Sequence, residues 1–205
     1  MEDPLAAHRS RARDGALRGG RPPGLLPGVS RVLVVGSSGA GKTTMARALA
    51  ERLGVPHTEL DSLWHGPGWV PRPEFEHDVE AMLATGRWVT EYQYRQVKDR
   101  LLERAQAVVW LDHPFPLVVV RLLRRSVLRA VTRRAYWNGN RETVAMWLRA
   151  SHPLRIVLSR EFWAKRRRTE AELARAAGRG VVVVRLRGAR QARRWLRLQP
   201  TLGLD

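Results

Sequence analysis

The sequence has 205 residues, 44% of them hydrophobic, and its 37 lysines and arginines against 19 acids leave a formal charge of +18. That is one domain's length with enough apolar material for a core, which excludes full-length disorder. The absence of cysteine excludes a disulfide scaffold and thiolate metal sites, and no apolar run approaches the ~20 residues that cross a bilayer.

Arg9, Arg11, Arg13, Arg18 and Arg21 have no apolar stretch behind them, which is not the layout of a secretory signal, so a cytoplasmic protein is expected. Lys42, Lys98 and Lys165 are the only lysines beside 34 arginines. A GC-rich coding sequence exchanges Lys for Arg but does not create a positive excess. The excess marks a preference for anionic ligands without saying which anion.

In chain order, residues 1–29 are rich in Arg, Gly and Pro without apolar period and read as a disordered basic tail. The domain expected after it covers 30–205. Arg31 to Gly36 is an apolar, β-branched run ending at glycine, suited to a strand buried on both faces. Lys42 to Leu53 follows as a helix with Met45, Leu49 and Leu53 at spacing four. Further strands are expected at 55–60, 88–91, 107–112 and 181–186. Helices are expected at 72–85, 96–105, from Pro114 and Pro116 to about 132, and through much of 142–177. Alternating strands and helices imply an α/β fold, a mostly parallel sheet covered on both faces.

Between the first strand and the first helix lies Gly36-Ser37-Ser38-Gly39-Ala40-Gly41-Lys42-Thr43, which has the spacing of a Walker A phosphate loop. Glycines let successive amides turn inward, and a side chain at Gly41 would block the phosphates. Lys42 is placed to neutralise the β- and γ-phosphates of ATP and the Thr43 hydroxyl to hold Mg2+. The positive end of the helix adds to the same anion site.

Ligands of open parallel sheets bind outside the carboxyl ends of the strands. Three acids are expected there: Asp61, Glu91 and Asp112. Glu91, after Trp88 and Val89, suits a carboxylate that acts on magnesium through water, and Asp61 suits a hydrogen bond to an acceptor hydroxyl. Asp112 reads equally well as a cap or a solvated loop residue. Arg121, Arg125 and Arg129 recur at spacing four and so share a helix face, with Arg124, Arg133 and Arg134 nearby. As a group they suit a lid over about 124–145 that brings charge to a moving phosphoryl group, Arg125 and Arg134 being the candidates for catalysis. Trp64 and Trp69 flank a Gly-Pro-Gly turn, where packing is the commoner role and the floor of an acceptor pocket the rarer one. The six histidines have no metal-ligand spacing. The basic runs 165–168 and 185–197 read as solvated helix faces, with nucleic-acid contact the secondary option.

Together GSSGAGKTTMARALAERLGVP, LDSLWHGPGW, WVTEYQY, AVVWLD and WNGNRE resemble the adenylate-kinase-like P-loop proteins often labelled DNA topology modulation kinases, over about residues 31–165. The resemblance implies a three-layer P-loop NTPase fold, a five-stranded parallel sheet in the order 2-3-1-4-5 and an Arg-rich lid. It implies that Gly36, Gly39, Gly41, Lys42, Thr43 and Thr44 bind ATP and Mg2+, with Ser37, Ser38 and Ala40 completing the loop, and that Asp61 faces the acceptor. Where that family commonly has Asp-Gly-Asn-Tyr, this chain has Glu91-Tyr92-Gln93-Tyr94, so only the tyrosine is unchanged.

The leading expectation is a magnesium-dependent kinase passing the γ-phosphoryl group of ATP to a small acceptor near Asp61. Its rivals are a nucleic-acid-associated ATPase or switch, for which affinity would fall steeply with salt, and a nucleotide binder without transfer. The sequence identifies neither the acceptor nor the oligomeric state.

Overall fold

The computed structural model describes residues 22–25, 27–132 and 157–201, without side chains for 129–132. Five strands, β1 (Arg31–Gly36), β2 (His57–Thr58), β3 (Trp88–Glu91), β4 (Ala107–Leu111) and β5 (Val182–Leu186), form one sheet in the order β2-β3-β1-β4-β5. Every pairing is parallel, as expected. The helices are α1 (Lys42–Leu53), α2 (Leu60–Trp64), α3 (Phe75–Ala84), α4 (Lys98–Arg104), α5 (Phe115–Thr132), α6 (Glu161–Gly178) and α7 (Ala189–Arg197), with a 3-10 turn at Pro67–Trp69.

Period-two alternation divides the strands between two cores. Val32 and Val34 of β1, with Val109 of β4 and Val184 of β5, face Met45, Leu49 and Leu53 of α1 and Trp195 of α7. Leu33, Val35, Val108 and Trp110 face the other way, onto Phe75 and Val79 of α3, Leu101 of α4 and Leu173 of α6. Both faces are thus covered, which is why the strand sequences are continuously apolar. Each fully buried Leu or Val adds about 1.5–3 kcal/mol of hydrophobic stabilisation.

Three expectations need correction. The second strand spans only His57–Thr58, and Leu60–Trp64 is helical, so Asp61 sits in a helix's first turn rather than just behind a strand. Arg185 is a buried strand residue of β5, not part of a solvated helix face. The described part of the expected tail is docked: Leu25 is buried, its amide donates to Gln199 Oε1 at 2.7 Å, and Trp195 Nε1 donates to Pro23 O at 2.7 Å. Residues 1–21 lie outside the described residues, as does most of the expected lid, including Arg134 and the WNGNRE block. Among the described residues, no helix is long and apolar enough to cross a membrane.

Candidate active site

β1 ends at Gly36 against Leu111 of β4, and the chain turns there into the phosphate loop. Two glycines are required by geometry. Gly39 has φ +83, and a Cβ on it would come within 2.9 Å of Val118 O and 3.0 Å of Leu122 Cβ on α5. Gly41, at φ +91, caps α1 in the left-handed region, where side chains are strained. No side chain caps α1 and its first turn holds no acid, so its leading amides and positive end are left for an anion.

Lys42 opens α1 and folds back so that Nζ donates to Ser37 O at 3.3 Å. Its pKa is lowered to about 8, first by desolvation in the crowded loop, then by the like charge of Lys165, against the opposing pull of Asp61 and Glu91. Thr43 and Thr44 follow in the same turn and line a shallow depression with Arg47 and Glu51. Arg121 of α5 donates from Nη1 to Ala40 O at 3.3 Å, joining α5 to the loop. Arg125, one turn on, is half-buried and its charge acts on Lys42. The spacing-four face thus meets the phosphate loop at its first two members.

Glu91 ends β3 beside Val34 of β1 and is 1% exposed. His57 Nε2 lies 3.4 Å from its Oε1, while its buried Oε2 has no hydrogen-bond partner among the described residues. An unpaired buried carboxylate oxygen is costly, and here it lies close enough for its charge to act on both Lys42 and Tyr94. Among the described residues no group of three or more His, Asp or Glu forms a ready metal cage. Magnesium needs none, because it keeps several waters and takes few protein ligands. The orphaned Glu91 oxygen, with the Thr43 hydroxyl across the loop, fits that requirement.

Asp61 accepts a hydrogen bond from the Tyr94 hydroxyl at 2.5 Å. Burial, first, and then the Asp61 charge push the Tyr94 phenol well above its ordinary pKa, so it remains a donor. Tyr94 holds φ +57, strained for an aromatic residue. Its ring lies 4.8 Å from Trp64 and 5.1 Å from Phe75, so Trp64 belongs to the packing that aims Tyr94. Trp69 stacks edge-on against His65 at 5.0 Å.

Asp112 is committed elsewhere. Arg166 Nε and Nη2 donate to its two oxygens at 2.6 and 2.9 Å, and Arg185 Nε donates to Oδ2 at 2.9 Å. Arg185 also pairs with Glu170 at 2.6 Å and stacks over Trp110. Burial alone would raise the Asp112 pKa, but the two guanidiniums outweigh it and hold the carboxyl below its ordinary value. Arg166, expected on a solvated face, therefore serves a structural ion pair. Lys165 beside it lines a pocket with Gly36, Ser37, Ser38, Tyr92 and Lys98.

The structure thus gathers the loop residues, Lys42, Asp61, Glu91 and Arg125; Asp112 lines the pocket on the Ser37–Ser38 side, but its oxygens are taken by Arg166 and Arg185. Sequence reasoning missed Lys98, Lys165 and His57. Tyr94 was visible as the unchanged tyrosine, and the other three carried no motif.

Residues 32–113 match the family model described as ATPase family associated with various cellular activities (AAA). A shikimate kinase of Ruegeria pomeroyi is 40% identical over 79 residues, 38% of this chain and 37% of that protein. A shikimate kinase of Synechococcus elongatus is 27% identical over 148 residues, 56% of this chain and 72% of that protein. The chain thus spans well under half of the first of these curated relatives. Among solved structures, a gluconokinase from Sinorhizobium meliloti aligns with TM-score 0.43 and 21% identity over 82% of this chain and 91% of that one. A shikimate kinase from Acinetobacter baumannii in complex with shikimate aligns with TM-score 0.36 and 18% identity over 73% and 96%.

Proposed function

We propose that the protein is an ATP-dependent P-loop kinase that phosphorylates a hydroxyl of a small acceptor held beside Asp61. The observation that carries this reading is the buried, half-paired Glu91 carboxylate at the end of the strand beside β1, which leads into the phosphate loop and Lys42. A loop and a lysine alone make a nucleotide binder; a second carboxylate, held by the Tyr94 hydroxyl, gives an acceptor somewhere to lose its proton. The curated relatives, all shikimate kinases, support the same class of reaction.

In this reading the loop amides and the start of α1 bind the phosphates, and Lys42 and Arg125 balance the charge spread over the γ-phosphoryl oxygens. The acceptor oxygen bonds to the γ-phosphorus as the bond to the β–γ bridging oxygen breaks. That electron pair leaves with ADP, and the hydroxyl proton passes to Asp61. Tyr94 keeps Asp61 oriented through its hydroxyl. Magnesium, when held by Thr43 and through water by Glu91, supplies further neutralisation of the phosphates. Arg134 and the lid over about 124–145 belong to the proposal as the elements that complete this charge. The finer kinship with DNA topology modulation kinases is also part of it, supported by the LDSLW and TEYQY blocks that carry Asp61, Glu91 and Tyr94.

The test is incubation with magnesium and γ-labelled ATP beside a panel of nucleoside monophosphates, nucleosides, sugars and hydroxy acids. Label is expected on an acceptor and lost in Lys42→Met. Release of free phosphate alone, indifferent to every acceptor, would overturn the kinase in favour of an ATPase, the activity that the name of the matching family model carries.

A further inference from the structure

Two of the three lysines of this arginine-rich chain line one pocket beside the loop that carries the third. Lys42 lies in the loop, Lys98 begins α4 and Lys165 lies in α6, more than 50 residues apart in sequence. Lys98 and Lys165 line a pocket on the Ser37–Ser38 side of the loop, whereas Thr43 and Thr44 line a different depression. The pocket's wall is Tyr92, the residue that stands where the resembled family has glycine. Its ring carries Lys98 Nζ at 4.5 Å from the centroid, and its hydroxyl donates to Glu172 at 3.1 Å.

The two ammoniums are only partly compensated among the described residues, by the charges of Glu161 and Glu172 on Lys165 and by the Tyr92 ring under Lys98. Among the described residues neither Lys98 nor Lys165 has a carboxylate at ion-pair distance, while Arg166 beside them is fully used by Asp112. Glu172, one of two acids whose charge acts on Lys165, already accepts the Tyr92 hydroxyl. Desolvation, first, and then the Lys98 charge push the Lys165 pKa down, and the Lys165 charge does the same to Lys42. Like charges that share a concave surface, with no carboxylate at ion-pair distance among the described residues, are relieved by an external anion. Lys165 is an exposed residue despite the desolvation of its ammonium, so the pocket is open to one.

We infer that Lys98 and Lys165 form an oxyanion site for the acceptor, so that the protein selects small hydroxylated molecules bearing a carboxylate or a phosphate ester. This rests on the kinase reading for the word acceptor, but the anion site itself does not require transfer. A compact ammonium suits it better than a guanidinium: it is a point charge with three rotatable donors, and Tyr92 holds one of the pair from below.

The experiment loads the protein with magnesium and a non-hydrolysable ATP analogue, so that the phosphate loop is filled. Calorimetric titration then compares shikimate with its methyl ester, AMP with adenosine, and inorganic phosphate alone. The anionic member of at least one pair should bind at least tenfold tighter than its neutral counterpart. That preference should fall below threefold in a Lys98→Met/Lys165→Met double variant whose affinity for the analogue stays within threefold of wild type, showing that it is folded. Lys165→Arg should keep most of the preference. Preference in the shikimate pair identifies a carboxylate; preference in the AMP pair, or binding of phosphate, identifies a phosphate ester. Equal binding within both pairs, a preference that survives the double variant, or no anion bound to analogue-loaded protein overturns the site. Label transfer separates the two readings. Lysine-dependent anion binding without transfer to any acceptor overturns the kinase and keeps the site, and equally efficient transfer to neutral acceptors does the reverse.

Discussion

Glu91 and Asp112 carry the same signal, an acid where an apolar strand of a parallel sheet runs out, yet their surroundings are opposite. Around Asp112 charge is closed: two guanidiniums cover both oxygens, and one of them reaches on to Glu170. Around Glu91 it is open, because one oxygen meets His57 and the other has no hydrogen-bond partner among the described residues. A saturated carboxylate has no capacity left for a ligand. An unsaturated one keeps its lone pairs for something brought from outside, and its cost in folding is the mark of a site.

The largest effect should come from breaking the closed side. Asp112→Ala leaves Arg185 buried without its carboxylate and should destabilise the fold by about 3–5 kcal/mol. Urea unfolding reads this directly. Glu91→Gln should change stability by less than about 1 kcal/mol in the same assay, since removing a half-paired buried charge costs little. If the two substitutions destabilise equally, the contrast between the two ends is lost. The pH dependence sharpens it. The folded Asp112 pKa lies below its ordinary 3.8, so its contribution is full above that value and lost as pH falls below it towards the folded pKa. Asp112→Asn should therefore flatten the acid limb of stability against pH, while Glu91→Gln leaves the Asp112 contribution in place.

On the open side, Lys42→Met should lower phosphoryl transfer by more than about 100-fold, the scale of losing one preorganised donor to transition-state charge. A variant transferring label at the wild-type rate would remove the kinase reading. Next in size is the titration of Lys42. With a free-protein pKa of about 8, the lysine is protonated at pH 7 and loses its charge as pH rises. Nucleotide affinity should therefore fall above pH 8, by up to about tenfold per unit. Titrations from pH 7 to 9.5 check this, and Lys42→Met should abolish the slope. The smallest effect is expected from Tyr94→Phe, which removes one hydrogen bond to Asp61. About 0.5–1.5 kcal/mol, a few-fold to tenfold, should appear in kcat/KM for the acceptor with the KM for ATP unmoved.

Legibility in the sequence followed the range of the interactions. The loop was readable because its chemistry is contiguous: glycines, lysine and threonine must be neighbours for the backbone to wrap a phosphate. The strands were readable because burial on both faces leaves an unbroken apolar run, as in Val32–Val35. His57–Thr58 was overextended because a two-residue edge strand has no such run. Leu60–Trp64 was missed because a helix of five residues shows too little of its period. The arginine face at spacing four was legible as a face, but only α5 lying on the loop gave Arg121 its bond to Ala40.

The sequence by itself determined that there is a phosphate loop between a buried strand and a helix, and that alternating elements build a parallel sheet around it. Local backbone geometry and the period of burial dictate both. Only the tertiary structure decided which acid is spent and which is open, because Arg166 and Arg185 reach Asp112 from elements more than 50 residues away. It also decided that Lys98 and Lys165, far apart in sequence, line one pocket beside the phosphate loop. Charges interact through space across a few ångströms, whatever their distance along the chain, and no spacing rule records that.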